Sequence, residues 1–144
     1  MITSTFDDFK VLVPLDEAEL AAEIGKLAAR GPGAYAVCFM HSYVNPAHER
    51  RAAEIIQCVS PGAYVALSSH VWPQYREFER ATTTVMSAAV GPLMAHYLDR
   101  LERALVEMGI RAPLQIMQSN GGVLPAAAVA ARPIQSIESG PAAG

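Results

Sequence analysis

The sequence predicts an α/β fold: a mostly parallel sheet with crossover helices. Three observations carry that expectation. The stretches 34–40, 63–67 and 114–117 are short, nearly continuous apolar runs, the pattern of strands covered on both faces. Amphipathic helical patterns over 16–30 and 46–59 alternate with these runs, which implies right-handed crossovers. Small-residue turns, Ser119-Asn120-Gly121-Gly122 above all, stand just past a predicted strand end, where ligands sit in open α/β sheets.

Taken in order, Met1–Asp8 is polar, and residues 1–9 are expected to be disordered or extended. Lys10-Val11-Leu12-Val13-Pro14 reads as a short strand or extended edge that Pro14 ends. Asp16 with Glu19 three residues on forms a capping-box pattern. Leu20, Ile24 and Leu27 then recur at helical spacing, so a helix is predicted over 16–30, closing near Arg30-Gly31-Pro32. The strand at 34–40 follows. Asn45 is placed to cap the next helix, with Pro46 at its first position, and Ala52, Ile55, Ile56 and Val59 face inward. Pro61-Gly62 turns the chain into the strand at 63–67.

Residues 73–108 read as helical. The run Thr82-Thr83-Thr84 is poor helix material and is expected to need packing against other structure. Gly91-Pro92 permits a break or bend, and Met94, Leu98, Leu101, Leu105 and Met108 form the apolar stripe of the helix beyond it. Gly109 closes that helix, and the strand at 114–117 follows. The expected organisation is an α/β region over 10–113 and the start of a second unit over 114–144.

Composition narrows function. The chain has 144 residues, a formal charge of −3 and a hydrophobic fraction of 51%, enough for one core and without the basic patch of a nucleic-acid binder. No run of about 20 apolar residues suggests a membrane span. Cys38 and Cys58 lie in apolar surroundings without metal-ligand spacing, which reads as buried thiols in a reducing, cytoplasmic compartment. The four histidines show no close pairing, so no metal site is readable. His41 and His70 each stand just past a strand end. Ser68-Ser69-His70 invites a catalytic reading, but no orienting acid is legible beside it, and local hydrogen bonding is the competing role. For His41 the competing role is packing against Tyr43. His48 and His96 read as surface residues on helices. Glu79 and Arg80 are substrate or cleft candidates, with a surface or interdomain ion pair as the alternative. Ser119, Asn120, Gly121 and Gly122 are cleft candidates because successive backbone amides in a turn can cradle an anion. Ser139, Gly140 and Gly144, in the closing small-residue segment, are nucleotide-cleft candidates. Plain chain reversal is the alternative for both turns.

Four segments occur in register: Val44-Asn45-Pro46-Ala47-His48-Glu49-Arg50-Arg51, Glu79-Arg80-Ala81-Thr82-Thr83-Thr84-Val85, Met117-Gln118-Ser119-Asn120-Gly121-Gly122 and Ser139-Gly140-Pro141-Ala142-Ala143-Gly144. Together they resemble the A subunit of the hydantoinase/5-oxoprolinase family, which includes acetone and acetophenone carboxylase subunits. The resemblance implies an RNase H-like two-lobe fold of the sugar kinase, Hsp70 and actin type. It implies ATP and Mg²⁺ for a full-length protein, a B-type partner subunit, and a small-molecule substrate. The activity implied is ATP-dependent opening of a cyclic amide such as hydantoin or 5-oxoproline, or ATP-dependent carboxylation of a ketone. A non-catalytic α/β assembly module is the remaining class. The Asp-x-Gly-Gly-Thr phosphate loops of such enzymes do not occur in these 144 residues, and Asn120 stands where serine is common. Alanine likewise stands at position 81, where serine or threonine is frequent. The chain is therefore expected to be an internal piece, inactive alone, without a cofactor of its own and with its catalytic residues unassigned.

Overall fold

The structure, a computed structural model, describes residues 11, 13–31, 33–137 and 139–142. The expectations for residues 1–9, Lys10, Leu12 and Gly144 lie outside the described residues.

Asp16 caps α1 (Glu17–Ala28): its carboxylate accepts from the Glu19 amide at 2.9 Å. β1 (Ala34–Val37) pairs in parallel with β2 (Tyr64–Leu67), Ala34 opposite Tyr64 and Val37 opposite Leu67. The connection between them carries α2 (Ala47–Val59). Pro46, rather than Asn45, is the capping residue of α2, and the Asn45 side chain accepts from the Ala47 amide at 3.1 Å. The core of this half gathers Ile24, Tyr35, Val37, Ala52, Ile56 and Leu67. Arg51 ties α2 to α1 through Glu17 at 2.7 Å on the surface.

α3 (Ser68–Val71) follows β2 directly, and α4 (Glu77–Glu107) is one helix of 31 residues. Pro92 lies inside it, so the break allowed at Gly91-Pro92 does not interrupt the helix. Gly91 is buried because the Tyr64 ring lies against it; a Cβ there would meet the ring at 2.3 Å. Of the threonine run only Thr84 is buried, donating to Arg80 O at 2.6 Å; Thr83 is half-buried and donates to Glu79 O at 2.7 Å, and Thr82 is exposed. α4 ends in a Schellman motif, with Ile110 N donating to Leu105 O, Gly109 N to Val106 O, and Gly109 at φ 80°.

The sheet-based fold class is overturned. The described residues are mostly helical, with two separate two-stranded sheets of strands three or four residues long. The expected third strand, β3 (Gln115–Met117), does not join β1 and β2; it forms an antiparallel hairpin with β4 (Val123–Pro125). Nor do these elements make the larger sheet of an RNase H-like two-lobe fold. The physical reason is local. The turn at 119–122 closes a short loop at small entropic cost, and β4 satisfies the β3 backbone at once. α4, meanwhile, packs across β1 and β2. The residues after 113 pack on α4 instead, through Leu98, Ala126 and Val129. They include α5 (Ala126–Ala131), a 3₁₀ turn (Pro133–Ser136) and α6 (Ser139–Ala142). The Val11–Pro14 strand is also absent at the described positions, where Val11 and Val13 are exposed and unpaired in a sheet. The thiols are not both buried: Cys38 is partly so and Cys58 is exposed, since it lies on the outer side of α2.

Candidate functional site

The carboxyl ends of the parallel strands β1 and β2 open onto the loop at 38–46 and onto α3. Beneath them lies a buried polar network built on Glu49, a residue of the first turn of α2 that is fully inaccessible. Glu49 Oε1 accepts from Phe39 N at 2.9 Å and from Ser68 Oγ at 2.5 Å, and Oε2 accepts from Ser69 N at 2.8 Å. Ser42 Oγ lies 3.0 Å from Ser68 Oγ. Burial pushes the Glu49 carboxyl up, but the donors from Ser68, Ser69 and Phe39 outweigh it, and the net shift is downward. The carboxylate is thus ionised and satisfied.

Arg80 completes the network from α4. It is fully buried, its Nη2 donates to Phe39 O at 2.7 Å and its Nη1 to Gln74 O at 3.0 Å. Its guanidinium lies over the Tyr43 ring, 5.4 Å from the centroid. The peptide units on either side of Phe39 are therefore gripped, the amide by an anion and the carbonyl by a cation. Just beyond, His41 adopts φ 56°, uncommon for a side chain other than glycine, and its carbonyl accepts from Val44 N and Asn45 N. The His41 and Tyr43 rings meet edge-on at 6.1 Å, the packing expected of them. His48 is half-buried rather than a surface residue, with its ring edge-on to Phe39 at 6.5 Å.

The acid missing from the sequence reading of Ser68-Ser69-His70 is Glu49, 19 residues away in the chain. It engages Ser68, which is inaccessible, so the pair serves to hold structure. Only the strand-helix-strand geometry, which brings the start of α2 beneath the end of β2, reveals it. The signal present in sequence was the Glu within Pro46-Ala47-His48-Glu49, a charge at a position facing the core.

Glu79 sits beside Arg80 in sequence but faces outward, in an exposed ion pair with Arg76 at 3.4 Å. The two candidates are separated by helix geometry. The turn candidates lie elsewhere, on the β3–β4 hairpin. Ser119 N donates to Gln135 O at 2.9 Å and its hydroxyl to Ile137 O, which ties the turn to the segment after α5. The Asn120 side chain accepts from Gly122 N at 2.8 Å, and Gly121 sits at φ 82° with open space where a Cβ would point. Ser139 and Gly140 lie in α6, against β3.

A cleft of about 440 Å³ separates α3 from the end of α5, lined by Ser69, His70, Pro73, Ala131 and Arg132. Among the described residues no group of three His, Cys, Asp or Glu side chains is placed to hold a metal ion. The buried carboxylate of Glu49 has both oxygens engaged by donors of this chain. No described helix is long and apolar enough to cross a membrane.

Comparison with known proteins places this geometry. The hydantoinase/oxoprolinase N-terminal region matches residues 4–60, and the hydantoinase/oxoprolinase family proper matches residues 80–144. The chain belongs to the hydantoinase/oxoprolinase family. Within it, the caprolactamase alpha subunit of Pseudomonas jessenii is 37% identical over 129 residues, 90% of this chain and 18% of that protein. The crystal structure of the ATP-dependent caprolactamase from the same organism superposes with a TM-score of 0.84 at 36% identity, covering 92% of this chain and 19% of that one. The 5-oxoprolinase of Saccharomyces cerevisiae is 32% identical over 94% of this chain and 10% of that protein. A nucleotide-free acetone carboxylase structure superposes with a TM-score of 0.78 at 26% identity, covering 92% of this chain and 19% of that one. The chain thus spans a fifth or less of the length of these relatives. The family resemblance drawn from the four sequence segments holds.

Proposed function

We propose that this chain works within a longer polypeptide, the A-type subunit of an enzyme that opens a cyclic amide at the expense of ATP. The observation that carries the reading is the likeness to the ATP-dependent caprolactamase over 92% of the chain at a TM-score of 0.84. A ketone carboxylase is the second reading; the weaker identity, 26%, to acetone carboxylase ranks it lower. In the amide reading, phosphorylation of the amide oxygen makes the carbonyl carbon reactive to water. ATP and Mg²⁺ belong to the longer polypeptide. A B-type partner subunit is inferred from the subunit names of the relatives, and a cytoplasmic location from the thiols.

This chain's own residues would organise one wall. Glu49 and Arg80 hold the loop after β1 and the start of α3 in one geometry, so that groups at the carboxyl ends of the strands meet a substrate preorganised. The turn 119–122 and the segment from Ser139 are proposed to border an interlobe cleft of the longer polypeptide. The remaining candidates, Glu79 and Gly144, are assigned no step.

The test is product analysis on the parent-length polypeptide expressed with its partner subunit. Lactam, hydantoin and 5-oxoproline are each supplied with Mg-ATP, and ADP and ring-opened acid are measured. ADP release coupled to ring opening is expected. Coupling to acetone and bicarbonate, with no ring opening, would replace this reading by the carboxylase one.

A further inference from the structure

We propose that the cleft between α3 and α5 is an oxyanion seat, taking a phosphate or carboxylate group between Arg132 and His70. His70 of α3 and Arg132, which follows α5, both line it, and among the described lining residues there is no carboxylate. Arg132 and His70 are both exposed, and neither makes a side-chain hydrogen bond or ion pair with a described residue. A planar guanidinium offers the paired donors that an oxyanion accepts.

Both walls are fixed from behind. On one side, Ser69 N is held by the buried Glu49 carboxylate at 2.8 Å, which sets the start of α3 and with it His70. On the other, the single hydroxyl hydrogen of Tyr64 is shared between Ala130 O at 3.1 Å and Ala131 O at 3.4 Å, which ties the end of α5 to β2 beside Arg132. The Tyr64 ring is in turn seated against Gly91 of α4. The seat therefore joins β2, α3, α4 and α5, and it stands on this geometry without the ring-opening reading.

The experiment follows the histidine Hε1 resonances of the chain while inorganic phosphate is added, with sodium chloride at matched ionic strength as control and acetate as a second arm. The His70 signal, assigned through His70→Gln, is expected to move saturably while that of His96 stays. Arg132→Gln should weaken binding by about tenfold or more, the loss of a charge-assisted contact, and Arg132→Lys should restore part of it. Arg132 is exposed, so the variant keeps the core, which near-UV circular dichroism checks. An upward shift of the melting temperature by phosphate, reduced in His70→Gln, gives a second readout. Tighter saturation by phosphate assigns the seat to a phosphoryl group and by acetate to a carboxylate. A His70 signal that tracks ionic strength alone, or responds equally in Arg132→Gln, overturns the seat. Neither result depends on turnover, so failure here leaves the proposed activity standing.

Discussion

Replacing Glu49 by glutamine tests whether the buried carboxylate holds the two strand-end loops. In the native chain Oε1 serves Phe39 N and Ser68 Oγ, and Oε2 serves Ser69 N. Glutamine keeps the shape but has one acceptor oxygen. If that oxygen keeps Phe39 and Ser68, the new NH₂ group confronts Ser69 N, donor against donor. One hydrogen bond to a charged group is lost and a buried amide is orphaned, a cost of about 1.5–3 kcal/mol. With the amide flipped, the Ser68 hydroxyl can turn to accept from the NH₂ group and donate to Ser42, so one amide, that of Phe39, is orphaned at a similar cost. Glu49→Ala orphans all three donors and opens a void, for about 3–5 kcal/mol, a large share of a stability of roughly 5–15 kcal/mol. Urea unfolding at neutral pH measures both. The pH dependence adds a second reading. Because the folded carboxyl lies below its ordinary value of 4.5, its contribution is fully present above that value. It is lost as pH falls through the lowered folded value, so the gap between wild type and Glu49→Gln should close in acid. A glutamine variant within about 0.5 kcal/mol of wild type at pH 7, with an unchanged acid limb, would refute the reasoning.

Four further perturbations have worked outcomes. Gly91→Ala drives a methyl into the Tyr64 ring at 2.3 Å; since the Tyr64 hydroxyl is tethered to α5, we expect a loss of about 1–3 kcal/mol, read by thermal melting. Arg80→Lys keeps the charge but not the fork that spans Phe39 O and Gln74 O; about 1.5–3 kcal/mol should be lost, and denaturation equal to wild type would deny the grip on Phe39. Gly121→Ala meets open space but a left-handed φ of 82°, at about 1 kcal/mol. Gly140→Ala meets open space within a helix and should leave melting unchanged. Turnover of the parent-length protein lost in Gly140→Ala at native melting temperature would assign that position a role in function; retained turnover in both variants would leave the turns structural.

The sequence alone determined the local elements. Asp16 with Glu19, the apolar spacing of α1 and α2, and Gly109 at the end of α4 each act within one turn of chain, and the structure keeps them. The family was legible for a related reason: its motifs are contiguous runs. What tertiary structure decided was every pairing across distance. β3 reads as the same kind of apolar run as β1 and β2, yet it closes on β4, because the nearest partner wins before a distant one can be reached. Glu79 and Arg80 differ by one position, but 100° of helix sends the first to water and the second into the core. Glu49 is a charge on an amphipathic helix by its sequence, and only the crossover that lays the start of α2 beneath Ser68 and Phe39 makes it the centre of the network. The cleft at Arg132 is likewise a meeting of segments 60 residues apart in the chain, about which local propensity carries no information.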